Sequence, residues 1–458
     1  MIQLSDYKNI HCIGIGGVGV SAIAEILLSR GYRVSGSDMK QSEITDRLKQ
    51  HGIKIYIGHR AENVEDADLI VYSAAIAEEN PEIIRAREKN LPLASRAEVL
   101  GTLMDDFENS IAISGTHGKT TTTSMVSLIL QRAELEPTIL VGGNLAEIGG
   151  NVKVGGSQYF VTEACEYRDS FLELRPKIEV ILNIDSDHLD YFKDIEHIVS
   201  SFERFTKAMP EDGKLIAYDA NPFVSRIIKD IPTAITYGYS QGCTYQIADV
   251  AFDGEGMPSF DVNYQGEKLG RVQLRVPGEH NILNATGAFA CCHQLGVSAE
   301  TIIATLDDFT GTQRRFDIIG TTESGVRLVD DYAHHPTEIK ATLSAAHNIP
   351  HRQLWCLFQP HTYTRTLALF DDFAEAFTDA DVLILAEIYA AREKNIYKIS
   401  SKELAEEIKR VHPEKKVYYM DTFEDIANYV RTNAAEGDLV ITMGAGDIYK
   451  VGEMIIDK

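Results

Sequence analysis

Ile111-Ala112-Ile113-Ser114-Gly115-Thr116-His117-Gly118-Lys119-Thr120-Thr121-Thr122-Thr123 runs from an apolar strand, through a glycine turn, into a helix expected over residues 122–132. Backbone N–H groups exposed in such a turn, at the positive end of a helix, suit a phosphate. Lys119 can reach outer phosphates, and the Thr120 hydroxyl can ligate Mg²⁺. Gly115, Thr116, His117, Gly118 and Thr121 complete the expected nucleotide loop. The strict P-loop pattern has four residues between its glycines, whereas only two separate Gly115 from Gly118. A bare glycine turn with an exposed lysine is the alternative, and the strand–loop–helix setting argues against it.

A second glycine turn lies upstream. Gly14, Gly16, Gly17 and Gly19 follow an apolar run over 10–15 and open a helix expected over 20–30, and Asp38 ends the next strand. This is the dinucleotide fingerprint, with its acid about 20 residues on. It points to a diphosphate and does not separate NAD from UDP, since both carry one.

Downstream, Glu163 ends one apolar strand and Asn183-Ile184-Asp185-Ser186-Asp187-His188-Leu189-Asp190 ends another. Ligands bind at the carboxyl ends of parallel strands, so Glu163 and His188 could ligate Mg²⁺ with Thr120. Oxygen donors suit that ion; a histidine is less usual.

Strand-like and helix-like stretches alternate throughout, which predicts parallel α/β sheets. The polar stretch 105–109 marks one domain boundary and 309–315 a second linker, and the region 214–276 reads as richer in strands. The expected domains are 1–107, 108–312 and 313–458. In the last, polar clusters follow the strands: Asp330 to Pro336, Gln359 to Arg365, Tyr389 to Glu393 and Gly444 to Asp447. Four loaded loops at one sheet edge indicate a binding site.

Composition narrows the classes. The net charge of −24 across 458 residues disfavours nucleic acid and anionic membranes as partners. No apolar run reaches the roughly 20 residues that span a bilayer, and Met1 is not followed by a signal-peptide pattern. Six cysteines without a C-x-x-C pair read as buried thiols in a reducing cytosol. The cytoplasm is the expected location.

Together the threonine-rich loop Ser114–Thr123, the segment Ile13–Leu27, and the stretches 329–339 (VDDYAHHPTEI), 358–366 (FQPHTYTRT) and 443–448 (MGAGDI) resemble the Mur ligase family, and its alanine-adding branch in particular. The resemblance covers essentially the whole chain. It implies an N-terminal Rossmann-like domain holding the UDP part of UDP-N-acetylmuramate, a central P-loop ATPase-like domain with a mixed sheet holding ATP, and a C-terminal Rossmann-like domain that binds L-alanine. The implied activity is ATP-dependent ligation through an acyl phosphate, in peptidoglycan synthesis. Carried over by position, Lys119 stabilises the γ-phosphate, and Thr120, Glu163 and His188 hold Mg²⁺. Asn281, one of Arg314 and Arg315, and Asp331 contact ATP. His335 lies near the amino acid, and His361 with Arg365 faces its carboxylate. Two departures stand out. Thr362 replaces an arginine present in some members, and no lysine in 201–207 is placed for the carbamylation seen in several relatives.

Overall fold

A computed structural model of the chain describes residues 2–73 and 75–456. The chain forms two compact units, one of residues 1–115, 126–181 and 200–216, the other of 116–125, 182–199 and 217–458.

In the first unit a five-stranded parallel sheet has the order Lys54–Ile57, Arg33–Asp38, Asn9–Ile13, Leu69–Tyr72, Leu93–Ser95. The order reverses direction at Asn9–Ile13, so the first glycine turn opens at the topological switch point, where such sheets bind ligands. The strand ends at Ile13, short of the expected Ile15, because Gly14 leaves extended geometry at φ +76°. The same unit places Asn109–Ser114 between the parallel strands Ile178–Ile181 and Tyr159–Ala164. Thr138–Leu145 and Gly150–Lys153 follow beyond the latter.

The second unit contains all but the first three residues of the strand-rich stretch anticipated over 214–276. Ile235–Gly238 pairs with Tyr245–Phe252, and antiparallel Pro258–Tyr264 and Glu267–Gln273 follow, each pairing with one shift of register, between Ala248 and Ala251 and between Val262 and Asn263. A six-stranded sheet then runs in the order Asp317–Thr321, Arg327–Asp331, Leu439–Met443, Leu354–Phe358, Val382–Leu385, Lys416–Tyr419, with only its first pair antiparallel. Side chains alternate across a strand. Leu354, Cys356 and Phe358 therefore enter one core with Ile339, Leu343 and Phe377, while Trp355 and Leu357 enter another with Ile426, Val430 and Val451. Both faces are covered, which is why these strands read as unbroken apolar runs. Each fully buried Leu or Phe contributes about 1.5–3 kcal/mol.

All six cysteines are free thiols, and all but Cys165 are buried. Among the described residues, no helix is long and apolar enough to cross a membrane.

Candidate functional site

The phosphate-loop helix spans Lys119–Arg132, three residues longer at its start than the sequence suggested, so Lys119 is its first residue and Thr120 its second. Gly115 and Gly118 take φ +133° and +85°, the left-handed region that lets the turn close. A Cβ on Gly118 would also meet the Asn284 side-chain oxygen at 2.4 Å. No acidic residue occupies the first turn of the helix, so its positive end is not neutralised from within. The Lys119 ammonium donates to the Thr116 carbonyl at 3.0 Å.

The loop is held by the strand-end segment 183–190. The Asn183 side chain accepts the His117 backbone N–H at 2.8 Å and donates to the His117 carbonyl at 3.0 Å, as a peptide group would. Asp185 donates its backbone N–H to the Thr116 hydroxyl at 2.9 Å. The His117 ring lies between two carboxylates, with Nε2 3.2 Å from Asp185 and Nδ1 3.2 Å from Glu338. Burial alone would lower the His117 pKa; the two hydrogen bonds outweigh it and raise the pKa to about 9. Both nitrogens therefore donate, and the ring is an imidazolium.

Beside the loop opens a cavity of about 460 Å³. Its wall includes His117, Gly118, Thr121, His280, Asn281, Asn284, Arg315, Asp331 and Glu338, with Tyr218, Phe223, Tyr237 and Phe309 supplying aromatic surface. Asn281 and Asn284 lie one turn apart on the helix Glu279–Gln294, and Asn284 donates to the Asn281 side-chain oxygen at 3.1 Å. The two candidate arginines diverge. Arg314, at φ +61°, turns away to bond Asp330 and the carbonyls of Gly444 and Gly446. Arg315 lines the cavity, its guanidinium 5.1 Å from the Tyr332 ring centre. Just before them, the Thr312 hydroxyl donates to the Ser124 hydroxyl at 3.1 Å, both buried. Asp331 lines the cavity too, and its carboxylate accepts the N–H groups of Phe316 and Ala333, each at 2.7 Å. Burial raises its pKa to about 6.

Three family models match the chain in order: the Mur ligase family catalytic domain over residues 9–108, the Mur ligase middle domain over 113–292 and the Mur ligase glutamate ligase domain over 314–446. The chain belongs to the Mur ligase family. This Mur ligase is 50% identical over 450 residues, 98% of its length and 97% of the relative's, to the UDP-N-acetylmuramate–L-alanine ligase of Alkaliphilus metalliredigens. Among solved structures it is similar to the UDP-N-acetylmuramate–alanine ligase of Thermotoga maritima, with TM-score 0.82, 29% identity and 98% of each chain covered. It also resembles the murein peptide ligase of Psychrobacter arcticus, with TM-score 0.73, 26% identity and 98% of each chain covered.

The remaining residues singled out in the sequence of this Mur ligase fall into three settings. In the first unit Gly14 donates its N–H to the Ser37 carbonyl at 2.8 Å, and Gly16 donates to Asp38 at 2.9 Å. A Cβ on Gly16 would lie 2.8 Å from that carboxylate and would displace it from the Gly16 N–H. Gly17 caps the helix Val18–Ser29, whose first turn holds no acid. Arg96 packs so closely over Gly19 that a Cβ would meet its Cδ at 2.9 Å; this cation had drawn no attention in the sequence. Glu163 accepts the Gly142 N–H at 2.6 Å.

In the second unit His188 sits at φ +54°, next to Asp187. His335 is the N-cap of the helix Pro336–His347. Its Nε2 donates to the Ser186 carbonyl at 2.9 Å and its Nδ1 accepts the Thr337 N–H at 3.2 Å. Both nitrogens are thus occupied, and the ring fixes a helix end.

The third setting is the loop 361–365. Arg365 bonds Asp187, the His361 carbonyl and the His361 ring. The His361 ring stacks on Tyr389 with centroids 5.6 Å apart. The Thr362 hydroxyl donates to Glu393 at 2.6 Å, and Glu393 also accepts the Thr364 N–H at 2.9 Å. Asn183, Asp185, Asn284 and Glu338 carried no role in the sequence reading. The spacing of Asn281 and Asn284 on one helix face was the available signal for Asn284.

Proposed function

We propose that this chain is an ATP-dependent acid–amino-acid ligase that joins L-alanine to the carboxylate of UDP-N-acetylmuramate in peptidoglycan synthesis, a cytoplasmic reaction. The observation that carries the reading is the phosphate loop sharing one cavity with Asn281, Arg315 and Asp331, in a chain half identical over its length to a ligase of that name. The division 1–107 for the UDP substrate, 108–312 for ATP and 313–458 for the amino acid is supported by the spans of the family models.

A carboxylate does not accept an amine directly, because its leaving group is too poor. A carboxylate oxygen of the sugar attacks the γ-phosphorus of ATP, the bond to the ADP oxygen breaks, and an acyl phosphate forms. Lys119 and the positive helix end neutralise charge on the group in transfer. Thr121, Asn281, Arg315 and Asp331 surround the nucleotide, while Arg314 holds Asp330 and the carbonyls of Gly444 and Gly446. The glycines at 14, 16, 17 and 19, with Asp38, hold the UDP diphosphate. His361 and Arg365 orient the alanine carboxylate. The alanine amine, having lost its ammonium proton, attacks the acyl carbon, and phosphate departs from the tetrahedral intermediate.

Thr120, Glu163 and His188 would hold Mg²⁺. A hydroxyl and a carboxylate are donors that suit this ion. A Cβ on Gly142 would lie within 2.7 Å of both Glu163 oxygens, so glycine there keeps the carboxylate accessible. The ion, when bound, supplies further positive charge to the phosphate oxygens.

Phosphate release from ATP in the presence of UDP-N-acetylmuramate tests the reading, with L-alanine compared against the tripeptide L-Ala-γ-D-Glu-meso-diaminopimelate. The likeness to a murein peptide ligase makes the tripeptide the second candidate, and its preferred use would reassign the acceptor. Titration with UDP and with NAD tests the first loop; NAD binding with no response to UDP would remove it from the substrate site.

A further inference from the structure

We infer that Glu338 is a positioning residue that ties the helix Pro336–His347 to the phosphate loop through His117, so that seating this helix sets the loop for ATP. The inference rests on the assignment of that loop to ATP. Glu338 is the third residue of the helix and part of its capping box, and its carboxylate serves more than the cap. It meets His117 Nδ1 at 3.2 Å, the His334 N–H at 3.1 Å and Arg315 at 4.0 Å. The neighbouring Thr337 hydroxyl donates to Asp185 at 2.6 Å, and Asp185 holds the other nitrogen of His117.

The tie reaches the reacting end of the site in two steps. His117 adjoins Thr116, whose carbonyl takes the Lys119 ammonium, so the position of the His117 ring bears on where Lys119 points. On its other side Glu338 faces Arg315, which lines the same cavity. One carboxylate thus spans two cations of the proposed nucleotide site.

His117, Asp185 and His335 could be mistaken for a metal site, since their ligand atoms lie within 4.8 Å of one another. Their bonds argue otherwise: the His335 Nδ1 lone pair is taken by the Thr337 N–H, and both His117 nitrogens donate to carboxylates. Protons hold this cluster. At neutral pH His334 faces Glu338 as a neutral ring, because burial lowers its pKa to about 3. The charge opposite Glu338 is therefore that of His117 and Arg315. The groups facing His117 are Asp185, Glu338, His335, His280 and Arg315, with Lys119 in its own loop.

The test is a double-mutant cycle on the full chain, with Glu338→Gln, His117→Gln and the pair. It is read as calorimetric affinity for a non-hydrolysable ATP analogue with Mg²⁺, so it does not depend on the amino acid used. Each single change should weaken the analogue about tenfold, the value of a charged hydrogen bond. The double variant should be no more than about tenfold weaker, because both changes remove one interaction. In the wild type the affinity should fall as pH rises through about 9; Glu338→Gln, which takes away one carboxylate, should move that fall toward neutrality. A role in helix capping alone would not move it. Glu338→Asp keeps the charge with a shorter reach, and should weaken the analogue while the alkaline fall stays in place, which keeps the test available if Glu338→Gln does not fold. An additive cycle, an unmoved alkaline fall in Glu338→Gln, or wild-type affinity in Glu338→Asp would overturn the inference. Ligation assays separate the two readings. A wild type that binds the analogue but does not join alanine fails the functional reading alone, whereas alanine ligation with an additive cycle fails this one.

Discussion

Arg365 directs two N–H groups, from Nε and Nη2, at a single carboxylate oxygen of Asp187, each at 3.0 Å. A planar guanidinium can hold a carboxylate in this way, and an ammonium cannot reproduce its direction. The alanine carboxylate would have to share or replace Asp187 on this group. Arg365→Lys should therefore raise the KM for alanine about tenfold, with the KM for ATP nearly unchanged. Steady-state phosphate release with each substrate varied in turn checks the split. Equal rises in both constants would place Arg365 in the fold instead of the amino-acid site.

Lys119→Ala should reduce turnover by about a thousandfold or more, since it removes charge aimed at the phosphoryl group in transfer. The fold should survive, because Lys119 is only half-buried and stands at the first position of its helix. Turnover measured alongside the thermal melt decides it. A stable variant with near-normal turnover would take Lys119 out of the chemistry.

Glu163→Gln keeps the shape of the side chain and an acceptor for the Gly142 N–H while losing the negative charge. The Mg²⁺ concentration needed for half-maximal turnover should rise about tenfold or more. An unchanged Mg²⁺ titration would leave Glu163 as a partner of Gly142 only.

The His117 cluster should also mark the pH dependence of stability. The pKa of His117 is raised from 6.5 to about 9, so its contribution is complete below about 6.5 and is lost as pH rises through 9. Asp185 and Glu338 are held below their usual values; their contributions are present above the usual carboxylate range and are lost on acidification. Thermal melts from pH 6 to 10 should show a decline in the wild type that His117→Gln flattens. Parallel curves for the two proteins would contradict the ion-pair assignment.

The chain's architecture was legible because glycine turns and apolar runs are local signals. Gly14 and Gly118 need positive φ, and strands buried on both faces carry no polar alternation to disguise them. The roles of Asn183 and Asp185 were not legible. The segment 183–190 offers several polar side chains, and which of them meets the phosphate loop depends on how the chain turns, including His188 at φ +54°. Glu338 looked like an ordinary first-turn acid of a helix, and nothing local announces His117 across more than 200 positions of sequence. Arg314 and Arg315 differ in sequence only by order. Their divergence comes from the left-handed backbone at Arg314 and Phe316, which turns one guanidinium into the sheet edge and leaves the other over the cavity.

The linker has a mechanical consequence. Thr312 is fastened to Ser124 on the phosphate-loop helix, and Arg314 is fastened to the carbonyls of Gly444 and Gly446. A single residue separates these two anchors, which leaves a swing of the six-stranded sheet little backbone over which to bend. Such a short fulcrum makes Arg315 the near end of a lever. Because Arg315 follows directly on the residue fastened to the sheet and lines the cavity, a change in the angle of the sheet would change the charge presented there.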